Sequence, residues 1–231
     1  MKTKIYCDIA DFKQIKKFNK KKIVKGFTTN PSLMRKAGAK NYKNYSLNIL
    51  KITNKPVSFE VFADNEKNMI AQGLKINQWG KNVYVKVPVT NSKGKFMGKA
   101  INQLNKKKIK LNITAVYTAQ QTKKILKQIN KTSKVIISIF AGRMADVGKD
   151  PIAEVKKSII FAKNYKNVEI LWASVREPYN YLQAKQLKCD IITIPPTIIE
   201  KIEKFGKTFN KLTIDTVNNF LKDSKKSKFK I

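Results

Sequence analysis

Eight short apolar runs, each followed by a stretch with helical spacing, constrain this chain more than any other feature. The runs are Lys4–Cys7, Ile23–Phe27, Val57–Phe62, Val83–Val87, Lys110–Thr114, Val135–Phe140, Val168–Ala173 and Ile191–Ile194. Between them lie helical stretches such as Glu66–Trp79, Ala119–Asn130, Ile152–Tyr165, Tyr179–Leu187 and Thr197–Phe205. Eight strands alternating with helices in 231 residues predict a compact (β/α)8 barrel. A doubly wound open sheet is the alternative, but no glycine-rich turn follows the first run. No linker or low-complexity tract divides the chain. Ile214–Lys225 reads as one more amphipathic helix, with Val217, Phe220 and Leu221 on one face, and should dock on this barrel or on a neighbour. Lys225–Ile231 are expected to fray.

Composition narrows the classes. Hydrophobic residues make up 42%, enough for a core, and no apolar run reaches the roughly 18 residues of a membrane span. Met1–Phe12 carries Asp8 and Asp11 soon after a very short apolar patch, unlike a signal peptide, so a cytoplasmic location is expected. Cys7 and Cys189 are too few for a disulfide framework and read as reduced, structural thiols.

The formal charge of +34 suggests nucleic acid as a partner. Against that, the lysines are spread along the whole chain, and only Arg35, Arg143 and Arg176 appear among 49 basic residues. A dedicated reader of bases and phosphates would use arginine. A solvated lysine surface is favoured, with no specific nucleic acid and no membrane as partner. The chain has no histidine, so imidazole catalysis and zinc–histidine sites are excluded.

Asn82–Thr90 reads N-V-Y-V-K-V-P-V-T. Its valines suit a pleated, buried strand, and Pro88, which lacks an N–H, should end the ladder. Lys86 sits inside this apolar run. Burial disfavours an ammonium, and a neutral amine is a nucleophile towards carbonyl carbon, which makes Lys86 a Schiff-base candidate. The strand alone does not choose between that reading and a lysine that snorkels its charge outwards.

In (β/α)8 barrels the active site lies at the C-terminal ends of the strands. The residues expected there are Asp8, Thr28 to Asn30 and Ser32, Glu60, Lys86, Asn112 and Thr114, Ser138 with Phe140 and Arg143, Ser174 with Arg176, and Thr193 before Pro195. Each has a plain explanation: Asn30 before Pro31 suits a helix cap, Ser138 can bond a backbone neighbour, and Glu60 can face water. Jointly they converge on one mouth. Two acids and a lysine embedded in apolar strands should be paired if buried. Two of the three arginines follow adjacent strands, where a planar fork suits phosphate.

Several of these stretches resemble the transaldolase family: TTNPSL at Thr28–Leu33, SFEV at Ser58–Val61, KVPVT at Lys86–Thr90, Asn-x-Thr at Asn112–Thr114, SIFAGR at Ser138–Arg143 and ASVR at Ala173–Arg176. They follow in the family's order from Asp8 to Pro196. The resemblance implies a single (β/α)8 domain over residues 1–231 and a lysine Schiff-base mechanism with no metal or organic cofactor. It implies transfer of a dihydroxyacetone unit from sedoheptulose 7-phosphate or fructose 6-phosphate to glyceraldehyde 3-phosphate or erythrose 4-phosphate, in the pentose phosphate pathway. By the same resemblance Lys86 attacks the ketose, and Glu60 and Thr114 hold a catalytic water. Asp8 is the general base. Thr28, Asn30, Asn112, Ser138 and Phe140 contact the substrate, and Arg143, Ser174 and Arg176 take its phosphate. Fructose-6-phosphate aldolases of the family's short branch release free dihydroxyacetone. Chain length points to them, but they carry Gln where Glu60 stands and Tyr where Phe140 stands, so transaldolase is favoured. The family often has Pro at the place of Ile139 and an aromatic residue at that of Val175, which bears on acceptor choice. Its short branch forms pentamers stacked as decamers, so a homo-oligomer is expected.

Overall fold

A computed structural model describes residues 3–228. The chain begins with β1 (Lys4–Asp8), α1 (Phe12–Asn19), β2 (Val24–Thr28), α2 (Pro31–Lys36), α3 (Tyr42–Ile52) and β3 (Val57–Glu60). It continues through α4 (Glu66–Asn77), β4 (Val83–Pro88), α5 (Gly98–Lys106), β5 (Leu111–Val116), α6 (Ala119–Leu126) and β6 (Val135–Ile139). The last part holds α7 (Ala141–Ala145), α8 (Ile152–Ala162), β7 (Val168–Trp172), α9 (Tyr179–Gln186), β8 (Ile191–Ile194), α10 (Pro196–Ile202) and α11 (Phe209–Ser227). All strands pair in parallel and in sequence order, and β8 closes on β1, giving the expected (β/α)8 barrel.

Alternation along each strand divides the apolar residues between two cores. Cys7, Phe27, Phe59, Val85, Ile113, Ile137, Ile170 and Ile192 face outwards into the layer between sheet and helices. Tyr6, Tyr84, Ile136, Leu171, Ala173 and Ile191 fill the barrel's interior, with Phe140 closing over them. Gly26 makes room for this plug: a Cβ there would lie 2.6 Å from the Tyr6 ring. Cys7 and Cys189 are both buried and unpaired. Burial pushes both thiols up, Cys189 to about 12, which suits inert core residues.

Pro88 is the last residue of β4, as expected, and its pairing with Thr114 is closed by Val89 N donating to Thr114 O at 2.9 Å. Odd-numbered residues of β4 address β5, whereas Lys86 O accepts from Val61 N on the other side. The missing N–H of Pro88 therefore falls towards β3, which has already stopped at Glu60. One expectation needs correction: the C-terminal helix is longer than Ile214–Lys225. Thr208 caps it by accepting from Lys211 N, and it stays helical through Ser227; the rest of the expected frayed tail, 229–231, lies outside the described residues. No residue of α11 is buried, and Phe209, Val217 and Phe220 are 89%, 57% and 69% exposed.

Gly26→Ala should lower stability by about 1–3 kcal/mol, as overpacking does. Pairing it with Tyr6→Leu, which removes the ring, should recover part of that loss. Chemical denaturation of the two single variants and the double variant checks this; strictly additive losses would show that the ring is not the cause.

Candidate active site

The upper half of the barrel is polar. Inward positions that could hold aliphatic residues carry Asp8, Thr28, Ser58, Glu60, Lys86, Asn112, Thr114, Ser138 and Thr193. Each forgoes the roughly 1.5–3 kcal/mol that a fully buried aliphatic side chain contributes. This is the mark of a site and not of a core.

Register sets the neighbours. Asp8 pairs with Thr28, Glu60 with Lys86, and Lys86 with Asn112 across adjacent strands. Lys86 does not snorkel. Its Nζ lies 3.2 Å from Glu60 Oε2, with the two side chains 8% and 18% exposed. The same nitrogen donates to Thr29 O at 3.2 Å. A buried cation left unpaired would be costly, and Glu60 supplies the counter-charge. Tyr42 on α3 steadies that carboxylate's strand, its hydroxyl accepting from Glu60 N at 2.8 Å.

Asp8 makes no ion pair among the described residues, contrary to the expectation that all three embedded charges would be paired. Its Oδ1 accepts from Thr28 Oγ1 at 2.6 Å, and that hydroxyl is 2.5 Å from Thr193 Oγ1. Burial raises the Asp8 carboxyl above its usual range; Thr28's hydrogen bond and the charge of Lys86 oppose this, and Glu60 adds to it.

Asn112 is fixed by two neighbours. It accepts from Ser138 Oγ at 2.7 Å and donates to Ser58 Oγ at 3.0 Å. Ser138 thus bonds a side chain, not the backbone. Asn30 does cap α2, with Oδ1 accepting from Leu33 N at 2.9 Å, and also lines the cavity. Beyond Asn112, β5 carries an irregularity between Ile113 and Val116, with Ala115 at φ 58°. The kink re-aims the strand end that bears Thr114, whose buried Oγ1 has no hydrogen-bond partner among the described residues.

The rim is built by α7 and the turn after β7. Gly142 packs so tightly on Ser174 O that any side chain there would overlap it, and Ser174 itself adopts φ 65°. This contact brings Arg143, Ser174 and Arg176 to the cavity together. The Arg143 guanidinium sits 5.6 Å from the Phe140 ring centroid. Arg176 is held by Asp146, with Nε donating at 2.8 Å and Nη2 at 2.6 Å.

The structure brings together at one mouth all the residues to which the resemblance gives roles; Glu60 stands just behind Lys86 and not on the cavity wall itself. Thr193 was expected at the mouth but without a role; Asp146 and Tyr42 were not expected there. Thr193 was visible as the polar residue in the apolar I-I-T-I run. Nothing local marks Asp146 or Tyr42, because helix packing places them.

A closed parallel barrel with a lysine–carboxylate pair inside its C-terminal mouth defines the class. The sequence profile described as Transaldolase/Fructose-6-phosphate aldolase matches residues 5–231, and the chain belongs to that family of aldolase- and transaldolase-type enzymes. A probable transaldolase of Nitrosopumilus maritimus is 36% identical over 227 residues, covering 97% of this chain and 96% of the relative. One from Caldicellulosiruptor saccharolyticus is 32% identical, covering 96% and 97%. One from Methanococcus maripaludis is 35% identical, covering 95% and 96%. Among solved structures, the inosine 5' monophosphate dehydrogenase of Legionella pneumophila shares the fold, with TM-score 0.58, 12% identity, and coverage of 84% of this chain and 58% of that one. No helix among the described residues is long and apolar enough to cross a membrane.

Because burial raises the Asp8 carboxyl, its charge costs stability once the pH exceeds the raised value. That cost shrinks as the pH falls through the window between the raised and the usual carboxylate values and vanishes below the usual value, where both folded and unfolded forms are neutral. Asp8→Asn should therefore raise the Tm at pH 7 while abolishing turnover, and the gain should shrink on acidification. Thermal melts between pH 3 and 8 check this; an Asp8→Asn protein less stable at pH 7 would contradict the burial argument.

Proposed function

We propose that the chain is a transaldolase working through a Schiff base on Lys86. The observation that carries this reading is the buried Lys86–Glu60 contact at 3.2 Å in a cavity that Asp8 also lines. In the proposed cycle the Lys86 amine adds to the C2 ketone of a ketose phosphate. Glu60 and Thr114 hold a water that carries protons as the carbinolamine loses hydroxide; the partnerless Thr114 hydroxyl fits that task. Asp8 then takes the C4 hydroxyl proton. The C3–C4 bonding electrons move into the iminium, leaving an enamine of dihydroxyacetone and a free aldose phosphate. An acceptor aldose phosphate enters and the steps reverse. Asn30, Asn112 and Ser138 orient hydroxyls. Arg143 and Ser174 bind the phosphate with the part of the Arg176 fork that Asp146 leaves open. The family includes both transaldolases and aldolases; a carboxylate at Glu60 and a phenyl ring at Phe140 favour transfer.

Incubation with fructose 6-phosphate and borohydride should yield a reduced adduct on Lys86 by mass spectrometry, and none in Lys86→Met. Glu60→Gln should slow transfer by about 10²–10⁴-fold. An adduct on another lysine removes the mechanism. Free dihydroxyacetone formed without acceptor, as fast as transfer, decides for the aldolase.

We also propose that the chain forms a ring-like homo-oligomer, a pentamer or decamer, through α11. The support is an exposed apolar face on a helix with no buried residue. Sedimentation velocity should give a large species for the full chain and a smaller one for Phe220→Asp; a monomeric parent would overturn the idea.

A further inference from the structure

Thr193 has no role in the reaction proposed above, yet it lines the cavity and is buried. It stands on β8, on the far side of β1 from Thr28, and pairs in register with Tyr6. Its Oγ1 has Thr28 Oγ1 as its one hydrogen-bond partner among the described residues, at 2.5 Å.

With Asp8 ionised, as a general base must be, counting protons fixes the direction of this contact. An ionised carboxylate only accepts, so the 2.6 Å bond between Thr28 and Asp8 Oδ1 uses the single proton of Thr28. The contact between the two threonines is then a hydrogen bond only if Thr193 donates. We propose that Thr193 is a positioning residue, the head of a directed chain in which Thr193 donates to Thr28 and Thr28 to Asp8 Oδ1, leaving Oδ2 turned to the substrate. Asp8 Oδ2 accepts no hydrogen bond from the described residues, in keeping with an oxygen reserved for a proton from outside.

The chain does two things. It fixes the carboxylate's rotation, which no ion pair does. It also supports the anion in a place where burial works against it, because a hydroxyl that itself accepts a hydrogen bond is a better donor. The charged groups facing Asp8 are Lys86 from β4, which favours the anion, and Glu60 from β3, which disfavours it. On β1 its neighbour Cys7 is a thiol that burial, and secondarily Asp8's charge, keeps protonated. From β2 the Thr28 hydroxyl reaches it directly, and Thr193 on β8 reaches it through Thr28.

The catalytic part of this inference rests on the Schiff-base reading, but the chain itself can be tested without it. Carboxyl resonances of 13C-labelled aspartate, with Asp8 identified by its loss in Asp8→Asn, follow the titration of Asp8 in the full chain. Thr193→Val, equal in shape and lacking the hydroxyl, should move the Asp8 midpoint up, and Thr193→Ser should restore it. In the same proteins, transfer from fructose 6-phosphate by Thr193→Val should fall about fivefold at neutral pH, the equivalent of one hydrogen bond, and further at acid pH. The borohydride adduct on Lys86 should form as in the parent, since imine formation precedes the step that needs Asp8. An Asp8 midpoint unchanged in Thr193→Val overturns the proposal, as does a loss equal at every pH that Thr193→Ser does not repair. A parent that forms no Lys86 adduct overturns the reaction scheme instead, and the titration still decides the chain.

Discussion

A positive charge held out of water is the constraint around which the barrel is arranged. Lys86 lies in the middle strand of an apolar ladder, where an ammonium alone would cost several kcal/mol. Glu60, one strand away in register, answers that charge, and Thr29 O takes a second bond from the same nitrogen. With Lys86 committed to Glu60, Asp8 has no ion-pair partner among the described residues. That acid is kept on the other side of β2's Thr28, raised by burial and held by a hydroxyl instead of by a cation. The two carboxylates are thus separated in environment although both lie near Lys86, which is the usual route by which two like groups come to do different work.

The polar layer above Tyr6, Tyr84 and Leu171 depends on the apolar plug beneath it. Without those side chains the barrel's lower half would be open, and the upper network would have water below as well as above. The plug in turn depends on Gly26, the inward position on β2 whose missing side chain the Tyr6 ring fills. So a residue with no chemistry of its own sets how far down the polar residues extend.

Much of this was legible in the residues and some was not. The barrel followed from eight apolar runs, since a parallel strand buried on both faces leaves a continuous apolar signature. Strand ends were set within a residue or two. The helices α1, α3, α5 and α7 were given no bounds, and α2 only a possible cap at Asn30, because they are short or their apolar faces are narrow. Site residues stood out as polar breaks in apolar strands, and on that ground Lys86, Glu60 and Asn112 could be found. What escaped were contacts made by helix packing: Tyr42 behind Glu60 and Asp146 on Arg176. Pro88 marked the end of β4, but which neighbour its missing N–H faces appears only once the sheet is assembled.

Ser174 O rests where a side chain of Gly142 would be, so α7 and the β7 turn are interlocked through their backbones. Neither can hinge without dragging the other. Arg143 and Arg176, carried one on each, therefore keep a constant span, and the barrel's rim works as a gauge of fixed width and not as a closing jaw.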